Sequence, residues 1–218
     1  MRIIEHILDT IAPHQCVGCG VEGAVLCAEC TDILPRGVSR CYRCQRSTTD
    51  YKTCTSCRSS TALYSVRPVT AYQEVAKDIV RQLKFERQRA GAGVIASCLA
   101  DFDYEPGEIV VHVPTATSRV RQRGYDQAVV IARSLASKTN LVHEALLTRL
   151  GQERQVGKNR QERKIQMKEL FVAVGNAQNK RIVLVDDVIT TGATLEACAA
   201  ALKKAGAKRV RAVVFAAA

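Results

Sequence analysis

Two hydrophobic periods alternate along most of this chain. Residues 182–185, Ile-Val-Leu-Val, are an uninterrupted apolar run, as in a strand covered on both faces of a parallel sheet. Residues 109–113 read as a second buried strand, ended by Pro114. Residues 66–72, 170–174 and 210–215 read as further strands, with Pro68 placing the first at a sheet edge. Between them the spacing turns helical. Val75, Ile79, Val80 and Leu83 fall on one side of a helix over 74–85, and amphipathic helices follow over 125–138 and 195–205. Residues 91–96 match the letters of a dinucleotide fingerprint but follow a charged helical segment, so they are read as opening a helix through Leu99. The pattern predicts an α/β fold, a parallel sheet flanked by helices, over residues 61–218.

Residues 1–60 follow another rule. Ile3, Ile4, Ile7, Leu8 and Ile11 suggest a short amphipathic helix, too interrupted by Glu5, His6 and Asp9 to be a signal-peptide core. Four Cys-x-x-Cys pairs come next: Cys16 and Cys19, Cys27 and Cys30, Cys41 and Cys44, Cys54 and Cys57. Each pair forms a knuckle that puts two sulfurs on one metal, and two knuckles close a tetrahedral structural zinc site. The short gaps favour sequential pairing, two zinc ions in a small double zinc-ribbon domain; interleaved pairing is the alternative. His14 is read as a bystander, and Cys98 and Cys198 as small core residues. The module is read as a spacer or protein-contact unit ahead of a nucleic-acid reader.

The second concentration of chemistry follows the strand at 182–185. Asp186 and Asp187 are expected to end it at the sheet edge where α/β folds place ligands. Thr190, Thr191, Gly192, Ala193 and Thr194 then form a polar turn at the N-terminus of a helix, a site for one phosphate. Acids beside a phosphate turn suit a sugar phosphate, whose hydroxyls donate to the carboxylates. The loop over 115–124 carries Arg119, Arg121 and Arg123 after the strand at 109–113, and residues 149–168 form a basic stretch read as a lid, a two-stranded flap or a nucleic-acid-binding segment. His112 is read as a strand residue rather than a general base.

Composition narrows the setting. The chain has 218 residues, 47% of them hydrophobic and 24% charged, and no apolar run long enough to span a bilayer. Ten cysteines in a chain read as cytoplasmic argue for metal over disulfides. Of the formal charge of +11, residues 1–60 carry only +1, so the excess base lies with the α/β region and suits a polyanionic ligand. With no Trp and 5% aromatic residues, a broad base-stacking platform is not expected.

Residues 182–194 resemble the phosphoribosyl pyrophosphate (PRPP) signature of the type I phosphoribosyltransferases: an apolar strand, two acids and a Thr-Thr-Gly-x-Thr loop. From about Cys16 onward the chain resembles the ComF family, which joins a cysteine-rich zinc region to a phosphoribosyltransferase-type domain. Gln82-Leu-Lys-Phe85, Arg123-Gly-Tyr-Asp-Gln127 and the basic stretch from Arg154 to Phe171 carry the likeness. Asp126 stands where that family usually has Asn, His112 where a Pro is usual, and Gln166 near an expected Asn.

The resemblance implies a type I phosphoribosyltransferase-like fold behind a double zinc-ribbon, PRPP binding with Mg²⁺, and a role in DNA uptake in competent bacteria. Asp186 and Asp187 would be the catalytic acids; these two with Thr190, Thr191, Gly192, Ala193 and Thr194 would hold PRPP, and Lys84 and Arg123 would meet the pyrophosphate. Other readings are a non-catalytic PRPP or nucleotide sensor and a single-stranded-DNA-binding accessory protein, with other competence proteins as partners and no membrane insertion.

Overall fold

Ile182 and Leu184 pack into one hydrophobic layer and Val183 and Val185 into another, which is the period of a strand with a core on each face. They belong to the central strand of a sheet seen in a computed structural model. It describes residues 14–85, 90–150 and 170–218, with residues 84 and 85 described by backbone alone. The sheet contains β1 (Val66–Ala71), β2 (Glu108–His112), β3 (Val142–His143), β6 (Arg181–Ile189) and β7 (Arg209–Ala217) in the order β1-β7-β6-β2-β3. Every neighbouring pair is parallel. A separate antiparallel pair is formed by β4 (Leu147–Arg149) and β5 (Phe171–Ala173).

The described helices are α1 (Ala28–Asp32), α2 (Thr55–Arg58), α3 (Glu74–Phe85), α4 (Ala90–Ala100), α5 (Thr117–Arg123), α6 (Gln127–Thr139) and α7 (Ala193–Lys204). One face of the sheet is covered by α3, α4 and α6, through Ile79, Leu83, Ile95, Leu99, Ile131 and Leu135. The other face is covered by α7, through Leu195, Cys198 and Leu202, with Leu146, Leu147 and Phe171 beside it. Cys98 and Cys198 are both buried in these layers, as expected of small core residues.

Four features differ from the sequence reading. The Asp pair does not stop the strand: β6 runs on to Ile189, because β7 continues to pair with it through Ile189↔Ala217. Residues 115–124 are not all loop, since α5 forms there and ends at Gly124 in the left-handed region, φ +81°. The strand expected at 170–174 joins β4 instead of the main sheet. The third helix of the pattern begins at Gln127; Asp126 caps it by accepting the Ala128 N–H at 3.0 Å, and Tyr125 turns inward to donate to the Leu83 carbonyl at 2.6 Å. The helix expected at 1–12 and residues 151–168 of the basic stretch lie outside the described residues.

The cysteine region is packed onto the sheet. Its first half contributes Cys16, Leu26, Cys30 and Leu34 to the core on the α3 face. Its middle crosses the edge strand: the Gly37 N–H donates to the Val69 carbonyl at 2.9 Å, and Arg36 bridges Thr70 in antiparallel fashion. A Cβ at Gly37 would lie 2.7 Å from the Pro68 carbonyl oxygen, so only glycine permits this approach. The crossing covers an edge that would otherwise present unpaired backbone groups.

Candidate functional site

On one side of β6 the ladder with β7 continues to Ile189; on the other, pairing with β2 ends at His112↔Val185. The sheet therefore opens between β2 and β6 just where Asp186 begins, the kind of crevice in which α/β sheets bind ligands. Asp186 is half-buried and Asp187 only 5% exposed. Their carboxylates accept neighbouring backbone N–H groups, Asp186 from Asp187 and Asp187 from Val188, each at 2.9 Å. These bonds fix the orientation of both carboxylates within β6.

The turn after β6 leads directly into the N-terminus of α7. Gly192 is the N-cap of α7, at φ +75° and ψ 3°, and supplies no side-chain cap. The Ala193 N–H has a long contact to Thr191 Oγ1 at 3.4 Å, and Glu196 closes the first turn by donating to the Gly192 carbonyl at 2.9 Å. The leading N–H groups of a twelve-residue helix thus face the turn, with the positive end of its dipole behind them. Thr190, Thr191 and Ala193 are exposed, Thr194 is half-buried and Gly192 is buried.

Across the crevice, Asp126 holds the segment after β2. It accepts the Thr115 N–H at 3.3 Å and the Thr115 hydroxyl at 2.9 Å, while capping α6. Its role here is positional, in keeping with its acceptor-only chemistry. Arg119 and Arg121 are exposed, whereas Arg123 is 8% exposed and donates to Gln127 Oε1. Lys84 lies near the end of α3, with its side chain outside the described residues. Arg149, the first of the basic stretch read over 149–168, ends β4: its guanidinium lies over the Phe171 ring, and burial, then the Arg119 charge, lowers its pKa. His112 sits in β2, 7% exposed, with Nδ1 3.0 Å from His143 Nε2; it is a packed strand residue, as expected.

The cysteines form two separate quartets, Cys16, Cys19, Cys27 and Cys30, then Cys41, Cys44, Cys54 and Cys57, as sequential pairing predicts. Sγ separations of 3.7 Å for Cys16–Cys27, 3.6 Å for Cys19–Cys27 and 3.6 Å for Cys44–Cys54 are far too long for disulfides. They match the roughly 3.8 Å between thiolates around a tetrahedral ion with Zn–S near 2.3 Å. In each quartet burial opposes ionisation of the first cysteine, but backbone N–H groups outweigh it and bring Cys16 and Cys41 down to about 6. The donor sets fit two structural zinc-ribbon-like sites.

A phosphoribosyl transferase domain family matches residues 122–218, which include β6, the turn and α7. The chain is 28% identical over 196 residues to the competence protein ComFC of Streptococcus pneumoniae, covering 87% of this chain and 86% of that one. It is 28% identical to ComFC of Bacillus subtilis, covering 83% and 79%. These likenesses support a ComF family assignment. Among solved structures, the chain is similar to the glutamine PRPP amidotransferase of B. subtilis (21% identity, TM-score 0.45), covering 58% of this chain and 26% of that chain. It is also similar to hypoxanthine phosphoribosyltransferase of Trypanosoma cruzi (13% identity, TM-score 0.35), covering 59% and 66%. Among the described residues no helix is long and apolar enough to cross a membrane.

Proposed function

We propose that this protein binds PRPP, or a related ribose 5-phosphate, in the crevice between β2 and β6. The observation that carries the reading is the junction of an opened strand ladder bearing Asp186 and Asp187 with a helix N-terminus that has no side-chain cap. The N–H groups and hydroxyls of Thr190, Thr191, Gly192, Ala193 and Thr194 would hold the 5′-phosphate. The Asp186 and Asp187 carboxylates would accept hydrogen bonds from ribose hydroxyls and stabilise positive charge building on the sugar as pyrophosphate leaves C1′. Mg²⁺ bound with PRPP would neutralise the departing pyrophosphate. Arg123, Lys84 and the exposed Arg119 are the basic groups proposed to attract that end.

Transfer of the phosphoribosyl group to an acceptor is the activity this geometry suits. A role in DNA uptake is proposed because both matched relatives are named competence proteins.

Calorimetry with PRPP and Mg²⁺ tests the site. Asp186→Ala and Asp187→Ala should each weaken binding by about tenfold to a hundredfold, the effect of losing a charged hydrogen-bond partner worth roughly 1.5–3 kcal/mol. Equal heats from wild type and both variants would refute the site. Release of pyrophosphate with a panel of bases then separates transferase from sensor.

A further inference from the structure

The second cysteine quartet stands against the phosphate turn. Tyr42 lies inside the knuckle closed by Cys41 and Cys44, and its hydroxyl donates to Glu196 Oε2 at 2.6 Å. The other oxygen of Glu196 accepts the Ala62 N–H at 2.6 Å, from the segment that follows Cys57. Both carboxylate oxygens of a residue in the first turn of α7 are thus held by the cysteine module and the segment that leaves it. That segment is anchored in turn by Thr53, wholly buried, whose hydroxyl donates to the Leu63 carbonyl at 2.7 Å.

The Tyr42 ring also fills the space beside Gly192. A Cβ there would stand 2.8 Å from Tyr42 Cδ2 and 3.1 Å from Cε2. Glu196 in turn closes the helix onto the Gly192 carbonyl. The knuckle therefore touches the turn at two points, one polar and one steric.

We propose that Tyr42 is a positioning residue for the phosphate turn, and that through it metal binding at Cys41, Cys44, Cys54 and Cys57 is coupled to phosphate binding at residues 190–194. The inference rests on the phosphate reading of that turn. A four-thiolate knuckle takes its shape from its metal. Losing the metal frees Tyr42, Glu196 loses one of its two anchors, and the N–H groups of the turn are no longer held in one pose. Linkage requires the reverse as well: a phosphate that favours the docked turn must favour the metal-bound knuckle by the same factor. The first quartet is differently placed. Cys16 and Cys30 pack into the core on the α3 face, and Val75 of that helix lies beside Gly18.

The test uses the full zinc-loaded chain and ribose 5-phosphate, which needs no Mg²⁺. Binding is measured calorimetrically for wild type, Tyr42→Phe and Tyr51→Phe, and zinc transfer to a chromogenic chelator is timed with and without the sugar phosphate. Tyr51→Phe removes a hydroxyl from the same module, where it donates to the Gly37 carbonyl and not to Glu196. Tyr42→Phe should weaken binding about fivefold or more, within the usual range of site-to-site coupling, while Tyr51→Phe leaves it unchanged. Ribose 5-phosphate should slow the loss of one of the two zinc ions in wild type and not in Tyr42→Phe. All metal ligands remain in both variants. Wild-type affinity in Tyr42→Phe, equal weakening in both variants, or zinc release indifferent to the sugar phosphate would overturn the coupling and leave the phosphate reading standing. No binding to wild type would overturn that reading, and the coupling with it.

Discussion

Glu108 receives Arg211 with both carboxylate oxygens: Nε donates to Oε1 at 2.8 Å and Nη2 to Oε2 at 2.5 Å. The Glu108 side chain has no exposed surface, and that of Arg211 is 14% exposed. The pair lies at the end of the sheet opposite the turn at 190–194, with Glu105, Arg181 and Arg209 around it.

Removing one partner of such a pair strands the other. Glu108→Ala should lower unfolding free energy by about 3–5 kcal/mol, and Glu108→Leu combined with Arg211→Met should recover much of that, because two apolar groups need no partner. Urea unfolding of the three proteins checks the order. A loss below about 1 kcal/mol in the single variant would mean that water replaces the pair freely.

Gly192→Ala brings two separate costs. A left-handed backbone costs a side-chain-bearing residue roughly 1–2 kcal/mol, and the new methyl would meet the Tyr42 ring at 2.8 Å. In a Tyr42→Ala background the steric part should vanish and the backbone part persist. Thermal melts of the four-member cycle should therefore show non-additivity between these sites; strict additivity would exclude the ring contact.

Elemental analysis of the purified chain should find two zinc ions. Stripping them with a chelator should expose buried Cys16, Cys30 and Cys41 to thiol reagents while Cys98 and Cys198 react slowly, since those two lie in the α/β core. One zinc per chain, or ten equally reactive thiols, would contradict the two-site arrangement.

The His112–His143 pair makes stability depend on pH. Burial first, then the charges of His112 and Arg133, lower the His143 pKa to about 4; burial also lowers that of His112. The folded state therefore resists protonation that the unfolded chain accepts near 6.5. The pair's contribution is complete above pH 6.5 and is lost as pH falls from 6.5 towards 4. Melting temperature should drop over that window more steeply in wild type than in His143→Gln. Acid release of zinc is common to both proteins and cancels in the difference, so parallel curves would refute the assignment.

Much of the site was legible along the chain because it is local. Residues 182–194 are consecutive, and a buried strand, two acids and a Gly-containing turn at a helix start each leave a short-range mark. What could not be read there was which arginine is buried. Arg119, Arg121 and Arg123 look alike in a row of basic residues, yet a helix formed around them and turned Arg123 inward to Gln127. The extent of β6 was also hidden: two acids look like a strand end until β7 is seen to pair beyond them.

The sequence by itself determined the α/β pattern, the two cysteine quartets and the Gly-containing turn at a helix start, because in each case the interacting groups lie within one element or one short gap. Only the tertiary structure decided that the quartets are not a remote appendage. Tyr42 and Glu196 are 154 residues apart, and nothing in either one's neighbours announces the other. Such contacts form only when the sheet has brought distant segments to one edge, and loop closure over that length leaves no local periodicity to read.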